Sequence, residues 1–250
     1  MKKTNLVDWH TYAQKYDMLL AYNPFYQELH QEVMQRVSDW KIKPGDVLAD
    51  IGAGTGNYSL ELARKFPEAK VLHVDRDEGM NAVAKSKQLQ QQLNNHHILS
   101  QGIQNTQFPA QSFRGLISIH ALYTFPDPQK ALKSMYKWLA PEGDAVLVNA
   151  GRIINVLDWQ LAIGGRLLRK YGVKKTLQVF RKGKEVSRQN AYIRKMQKEG
   201  IFWTHSHQEF CQAVENAGFE IQDHQTLHFQ TLHFQRPDKI QGLKMQGLMI

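Results

Sequence analysis

The sequence predicts an α/β fold, a largely parallel sheet wound on both faces by helices, and three observations lead to it. Val47-Leu-Ala-Asp50-Ile-Gly52-Ala-Gly54-Thr-Gly56-Asn57 is an apolar run that ends in an acid and then in three glycines, the pattern of a buried strand turning tightly into a helix. Ala69-Lys-Val-Leu-His-Val74 reads as a second strand and ends at another acid, Asp75. Strand-like and helix-like patterns then alternate toward the middle of the chain. With 250 residues, 42% of them hydrophobic, the chain can bury one sizeable core.

Each element has its own signal. Residues 6–40 look helical and rich in aromatics, with Trp9, Tyr12, Tyr16, Tyr22, Phe25 and Tyr26. Pro44-Gly45 marks a turn before the first strand. Residues 58–66 read as the helix after the glycines, and Asp77 caps a helix carrying Met80, Val83 and Ala84. Further strands are expected near 98–100, 116–120 and 145–149, with a helix over 128–139. Past residue 151 the pattern is basic and helical, and Gly164-Gly165 is expected to interrupt it. A helix over 208–217, capped by Thr204 or Ser206, leads to a strand beginning at Gly218-Phe-Glu-Ile221, and residues 242–250 suit a last strand. The five-residue repeat Thr226-Leu-His-Phe-Gln230, Thr231-Leu-His-Phe-Gln235 would flip its apolar face in a continuous strand, so a bulge or turn is expected between the copies.

No run of about 18 apolar residues is present, and Met1-Lys-Lys-Thr-Asn5 leads into no signal-peptide core, so a soluble, cytoplasmic protein is expected. The single cysteine, Cys211, excludes an internal disulfide framework and a cysteine-rich metal site, and its helical neighbours Phe210, Val214 and Ala217 suggest core packing. His205-Ser-His207 and the repeat hint at metal, but no acid or cysteine completes a ligand set in sequence, so no metal is expected.

The glycine turn itself narrows the ligand. A dinucleotide fingerprint needs its third glycine one residue later, over a helix N-terminus that holds the pyrophosphate. Here position 57 is Asn, and the acid Asp50 beside the turn suits a cationic adenosine compound better than a phosphate. Asp75 lies roughly 20 residues beyond the glycines, where an acid accepts hydrogen bonds from ribose hydroxyls.

The stretch 47–57 resembles the first motif of class I S-adenosylmethionine-dependent methyltransferases. Phe108-Pro-Ala-Gln-Ser-Phe113, Leu116-Ile-Ser-Ile-His-Ala-Leu122, residues 131–143 and Ala217-Gly-Phe-Glu220 resemble the family's later motifs in order, so the resemblance covers 45–150 and 204–228. It implies a Rossmann-like sheet of seven strands with the last antiparallel. It also implies one methyltransferase domain over 1–250: a helical cap (1–43), a cofactor-binding core (44–150), a helical lid after the fifth strand (151–203), and a C-terminal helix with a strand pair (204–250). The implied cofactor is S-adenosyl-L-methionine, with S-adenosyl-L-homocysteine as product. Its implied contacts are Asp50, Gly52, Ala53, Gly54, Gly56, Asp75, Arg76 and His120, with Tyr16 from an N-terminal segment, Tyr12-Ala-Gln-Lys-Tyr16-Asp17, that folds over the cofactor in many relatives. Ser100-Gln-Gly-Ile-Gln104 lacks the family's usual adenine-binding acid, which leaves backbone groups around Gly102 and Ile103, helped by Gln101 or Gln104; Arg114 likewise replaces an acid of the motif.

Methyl transfer asks little chemistry of the protein beyond alignment and exclusion of water. A base is needed only where the acceptor loses a proton. His120, at the end of the fourth strand, and Tyr123 are the candidates, although His120 can equally be a histidine that lines the pocket. Trp9, Tyr12 and Tyr16 share one helical stripe, which core packing explains as well as a site does.

Specificity is expected from 151–203. This segment holds 13 Lys or Arg against 3 Asp or Glu, a net of +10, while the rest holds 19 and 20, a net of −1. Its cations can form a solvated face, can clamp an anionic acceptor through Arg152, Arg166 or Arg169, or can join Trp159 and neighbouring leucines on an anionic membrane. Tyr12, Tyr123, Arg152, Trp159 and Arg166 are the acceptor-site candidates. A pI near 9.5 invites nucleic acid. No Asn/Asp-Pro-Pro-Tyr or Pro-Cys motif supports base methylation, so nucleic acid is not the expected partner. The expected function is methyl transfer to O, N or C of a small, anionic or partly apolar acceptor. The alternatives are a membrane-surface lipid or quinone methyltransferase and a non-catalytic S-adenosylmethionine-binding regulator.

Overall fold

A computed structural model describes residues 7–226 and 247–249. Five parallel strands carry the sheet: β1 (Val47–Ile51), β2 (Lys70–Asp75), β3 (His96–Ser100), β4 (Phe113–Ile119) and β5 (Leu139–Asn149), in the order 3-2-1-4-5. Among the described residues the seven expected strands are five full ones and two three-residue segments at the sheet edge. Past β5 these segments are Gly247–Met249 and His224–Thr226, and both pair in parallel, so among the described residues the expected antiparallel last strand is not found. Residues 218–221 lie outside any strand, and most of the repeat, with 242–246, lies outside the described residues.

Alternation along each strand builds two cores. Leu48, Ile117, Val146 and Val148 point to one face; Ala49, Leu116 and Leu147 point to the other. Both faces are buried, as a parallel sheet requires. Helix α3 (Ser59–Lys65) covers the first face together with α2 (Pro24–Ser38), which contributes Leu29, Val33 and Val37. The second face is covered by α5 (Pro128–Trp138), through Leu132 and Met135, and by α8 (His207–Asn216), through Phe210 and Val214.

Helix ends are set by local chemistry. The Asp77 side chain caps α4 (Glu78–Gln91) and Asp127 caps α5 ahead of Pro128. Ser206 and Glu209 form a reciprocal capping box that starts α8. The N-terminal helical stretch is two helices rather than one: α1 (Trp9–Tyr22) stops at Asn23, which is extended and caps α2, because Pro24 has no N–H to continue α1. In the segment 151–203, α6 (Val156–Lys182) runs through Gly164-Gly165 and breaks instead at Gly172, where φ is +74° and ψ 177°. Helix α7 (Lys184–Lys198) follows, and its Val186, Ile193 and Met196 pack with Tyr12, Ala13 and Leu19 of α1.

Beneath the site lies a buried polar relay. Ser59 Oγ contacts His73 Nδ1 at 2.9 Å and His96 Nε2 at 3.0 Å, and His73 Nε2 contacts Asn81 Oδ1 at 3.0 Å. Asn81 Nδ2 in turn donates to the Asp75 carbonyl and to Ser100 Oγ. Burial depresses the two imidazoles to about 3 for His73 and about 4 for His96, so both are neutral in the folded chain. An unfolded histidine titrates near 6.5. Protons therefore bind the unfolded chain first as pH falls, and stability present above 6.5 is lost toward 4. Urea unfolding across this range should show His96→Gln gaining on the wild type by about tenfold in the unfolding constant per pH unit. A gap that stays constant with pH would refute the neutral buried assignment.

Candidate functional site

A cleft opens at the carboxyl ends of β1, β2 and β4, and the glycine turn forms its floor. The Gly52 and Ala53 N–H groups donate to the Val74 carbonyl at 2.8 and 3.1 Å, and Gly54 N–H donates to Asp75 Oδ2 at 2.8 Å. Asp75 Oδ1 accepts from Asp77 N–H at 2.9 Å, so this carboxylate braces the turn from the neighbouring strand. Gly52 has φ +77°, and a Cβ there would collide with the Cβ of Ala121, so only glycine lets the chain after β4 approach the turn.

Two carboxyl groups meet at this floor. Asp50 is 2% exposed and its Oδ2 has no hydrogen-bond partner among the described residues. Burial, then repulsion from Asp75, raises its pKa well above the carboxylate range, against a hydrogen bond from Ser59 N–H. Burial raises Asp75 as well, opposed by the Asp77 and Gly54 N–H groups. A buried acceptor left unpaired costs stability until a donor arrives, so the pair is suited to a ligand with a cationic amine and vicinal hydroxyls. A Cβ-free cradle at Gly52 and an orphaned oxygen on Asp50 are what S-adenosylmethionine would need here.

Helix α1 straps the front of the cleft. Asp17 Oδ1 accepts from Thr55 Oγ1 at 2.6 Å, and Asp17 Oδ2 pairs with Lys87 Nζ of α4 at 3.0 Å. Lys87 also donates to Asn57 Oδ1 at 2.8 Å, which joins strap, glycine turn and α4 at one point. Trp9, Tyr16 and Leu20 of α1 then line the opening.

The deep wall is aromatic. His120 follows β4 with φ +53°, its N–H donating to the Val148 carbonyl at 2.8 Å. Its ring lies 5.5 Å from that of Tyr26. The Nε2 atom is buried without a hydrogen-bond partner among the described residues, and burial lowers the imidazole to about 4. Burial pushes the Tyr26 phenol up to about 12, partly offset by a hydrogen bond with Tyr16. At neutral pH this wall is therefore uncharged.

Of the residues the sequence suggested for the cofactor, Tyr16, Asp50, Gly52, Ala53, Gly54, Asp75, Arg76, Gly102, Ile103 and His120 line the cleft. Gly56 does not: its φ is +79°, and a Cβ there would press on Leu60 and Ala84 at 3.1–3.3 Å, so it allows α3 and α4 to approach. None of the five acceptor candidates lines it. Tyr12 is buried with its hydroxyl donating to Asn190 Oδ1 of α7 at 3.2 Å. Tyr123 turns its ring onto Phe202 while its N–H donates to Asn149 Oδ1. Arg152 is exposed, its carbonyl accepting from Gln197. Arg166 lies outside, 2.6 Å from Glu28 and over the Phe25 ring. Trp159 lines a separate apolar cavity with Leu19, Tyr22, Ile163 and Leu167, its ring 6.5 Å from Tyr26. Sequence reasoning missed Tyr26, His30, Tyr58 and Phe125 on the wall. Asn23-Pro24 was the available signal for Tyr26, since a helix restarting there resets which aromatic faces inward.

Residues 48–143 match the methyltransferase domain family. Demethylmenaquinone methyltransferase of Listeria monocytogenes is 26% identical over 121 residues, 48% of this chain and 51% of that protein. The Lactobacillus johnsonii protein of the same name is 29% identical over 125 residues, with the same coverages. The chain thus spans about half the length of the curated relatives it matches. A proposed S-adenosyl-L-methionine-dependent methyltransferase of Methanococcus maripaludis shares the fold, with TM-score 0.56 and 17% identity over 87% of this chain and 89% of that one. So does Haemonchus contortus phosphoethanolamine N-methyltransferase 2, crystallised with phosphomonomethylethanolamine and S-adenosylhomocysteine, at TM-score 0.51 and 17% identity over 76% and 37%.

The strap makes a direct prediction. Asp17→Ala removes both the Thr55 and the Lys87 contacts, and calorimetry should show S-adenosylmethionine binding weakened roughly 5- to 20-fold, as for a partly exposed charged hydrogen-bond pair. Unchanged affinity would mean that α1 does not hold the cleft closed.

Proposed function

We propose that this chain, whose residues 48–143 match the methyltransferase domain family, is an S-adenosylmethionine-dependent methyltransferase that methylates O, N or C of a small, neutral or partly apolar acceptor held against the aromatic wall. The observation that carries this reading is the buried, unpartnered Nε2 of His120 beside Tyr26, at the deep end of a cleft whose floor is glycine turn and carboxyl groups. An anionic acceptor has less support, because every one of the 13 lid cations is solvent-exposed and none lines the cleft.

The cofactor, when bound, supplies an electrophilic methyl carbon on a sulfonium. The chain's own residues do the rest. Asp50 and Asp75 would receive the amine and ribose hydroxyls, with Ala53 and Arg76 beside them, and Gly102, Ile103 and Gln101 would border the adenine. Trp9 and Tyr16 exclude water from the front. His120 accepts a hydrogen bond from the acceptor's O–H or N–H and takes that proton as the acceptor's heteroatom gains positive charge. A base with pKa near 4 is weak, but the proton it receives becomes acidic during transfer.

A second reading, methyl transfer at a membrane surface to a lipid or quinone, has its own support. Leu157, Leu161, Val173 and Leu177 of α6 are 63–65% exposed beside Arg169, Lys170, Lys174 and Lys175. An apolar cavity lies behind Trp159, next to the wall, and curated relatives are named for demethylmenaquinone. Among the described residues no helix is long and apolar enough to cross a membrane, so contact would be at the surface.

Incubation with S-adenosylmethionine and a panel of phenolic, quinol and amine acceptors should release S-adenosylhomocysteine. His120→Gln should lower kcat by about 10²- to 10⁴-fold for acceptors that lose a proton. Because the folded imidazole is neutral above about pH 4, the His120-dependent rate should hold as pH falls past 6.5 and drop only as pH nears 4. Binding of NAD in place of S-adenosylmethionine would overturn the reading, and full activity in His120→Gln would leave His120 as a wall residue only. For the second reading, the protein should sediment with phosphatidylglycerol vesicles at low salt and release at high salt. Equal sedimentation with phosphatidylcholine vesicles, or none with either, would argue against it.

A further inference from the structure

Three side chains at the far edge of the sheet take no part in this scheme. His207 and Cys211 stand one turn apart on α8, and His224 of the edge segment faces them. His207 Nε2 lies 2.9 Å from His224 Nδ1 and 3.7 Å from Cys211 Sγ, and the three ligand atoms all fall within 4.8 Å of one another. All three residues are partly buried. The sequence places Cys211 four residues after His207, one helical turn along α8, but leaves the set a ligand short; the fold supplies the third, because the chain returns to bring His224 opposite.

We propose that His207, Cys211 and His224 form a zinc site. Zn²⁺ binds imidazole nitrogen at 2.0–2.1 Å and thiolate sulfur near 2.3 Å, which in a tetrahedron separates ligand atoms by about 3.3–3.6 Å. The observed separations bracket that spacing, so small side-chain rotations complete the geometry. A hydrogen bond between two neutral imidazoles accounts for the 2.9 Å approach of the histidines. It does not account for a thiol meeting the same nitrogen from one turn along the helix. The donor set also selects the metal: one sulfur and two imidazoles suit Zn²⁺ or Co²⁺ and do not suit Mg²⁺ or Ca²⁺, which take oxygen. Cys211 loses its thiol proton to solvent on ligation, and the fourth position is left for water or a further donor.

The neighbouring histidine is excluded from the site. His205 Nε2 meets Asn149 Nδ2 at 2.7 Å and its Nδ1 meets the Ser206 carbonyl, so His205-Ser-His207 divides between the end of β5 and the cluster. Ligation would tie α8 to the His224–Thr226 segment, whose pairing to the sheet is only three residues long. It would leave the cleft unchanged, since none of the three residues lines it.

Co²⁺ added to the full, metal-stripped chain should bind with a stoichiometry of one and give visible bands of a tetrahedral site with a near-ultraviolet thiolate-to-metal band. Zn²⁺ should displace it. Cys211→Ser should abolish the thiolate band, and His207→Ala and His224→Ala should each weaken Co²⁺ binding by more than about 100-fold, beyond the loss expected from an outer-shell partner. S-adenosylmethionine binding by the same variants reports that they remain folded. A test on the wild type needs no variant: Cys211 is the only thiol, so Zn²⁺ should slow its alkylation by iodoacetamide at least about tenfold. A thiolate band that persists in Cys211→Ser, affinity unchanged in His224→Ala, or alkylation indifferent to Zn²⁺ would overturn the site.

Discussion

The pairing of β1 with β4 is the constraint on which the site depends. The chain leaves β1 toward β2 on one side and enters β4 from the other, so the two strands lie side by side while their connections diverge, and a crevice opens at their carboxyl ends. The glycine turn occupies one lip and His120 the other. Close approach of the lips is set by Gly52 against Ala121, where no side chain fits. Asp75 extends the same logic one strand further, since each of its carboxyl oxygens accepts one N–H, from Gly54 or Asp77, and keeps a second lone pair for a ligand. The relay through Asn81, His73, Ser59 and His96 then fixes the end of β2 from below.

Charge is sorted around this crevice. Carboxyl groups gather at the floor, the deep wall is neutral, and the lid's cations face solvent. A neutral wall suits methyl transfer from a sulfonium, because a fixed cation beside it would oppose binding and a fixed anion would hold it in place of the transition state. It also shifts the expected acceptor. The net +10 of residues 151–203 suggested an anion clamp, but Arg166 is occupied by Glu28 and Phe25 on the outer surface. Basic charge on this protein is thus a property of its exterior, where it can act on surfaces rather than on the bound acceptor.

Helix α1 lines the front of the crevice, and α7 packs against the side of α1 that faces away from it. Tyr12 is the hinge of that meeting: its ring packs on Trp9 and Tyr16, and its hydroxyl reaches Asn190 of α7. Helix α1 is held on the other side by Asp17, so one helix touches glycine turn, α4 and lid together.

Local patterns determined the strands β1 to β5, the helix caps at Asp77 and Ser206, and the glycine turn with its two acids, because each is written in contiguous residues: an apolar run, an acid at its end, a glycine with φ fixed by the turn. Residues whose role depends on a partner far away in the chain were not legible. Arg166 and Trp159 have the right chemistry for an acceptor site, yet which way α6 turns them is settled by packing on α1 and α2, and the break at Gly172 rather than at Gly164-Gly165 sets that orientation. Tyr26 reached the wall because Pro24 restarts the helix, and His207, Cys211 and His224 met because a helix and an edge segment return to one place. Sequence specifies what each segment can be; only the closing of the chain on itself decides which side chains share a space, since such contacts join residues with no local coupling.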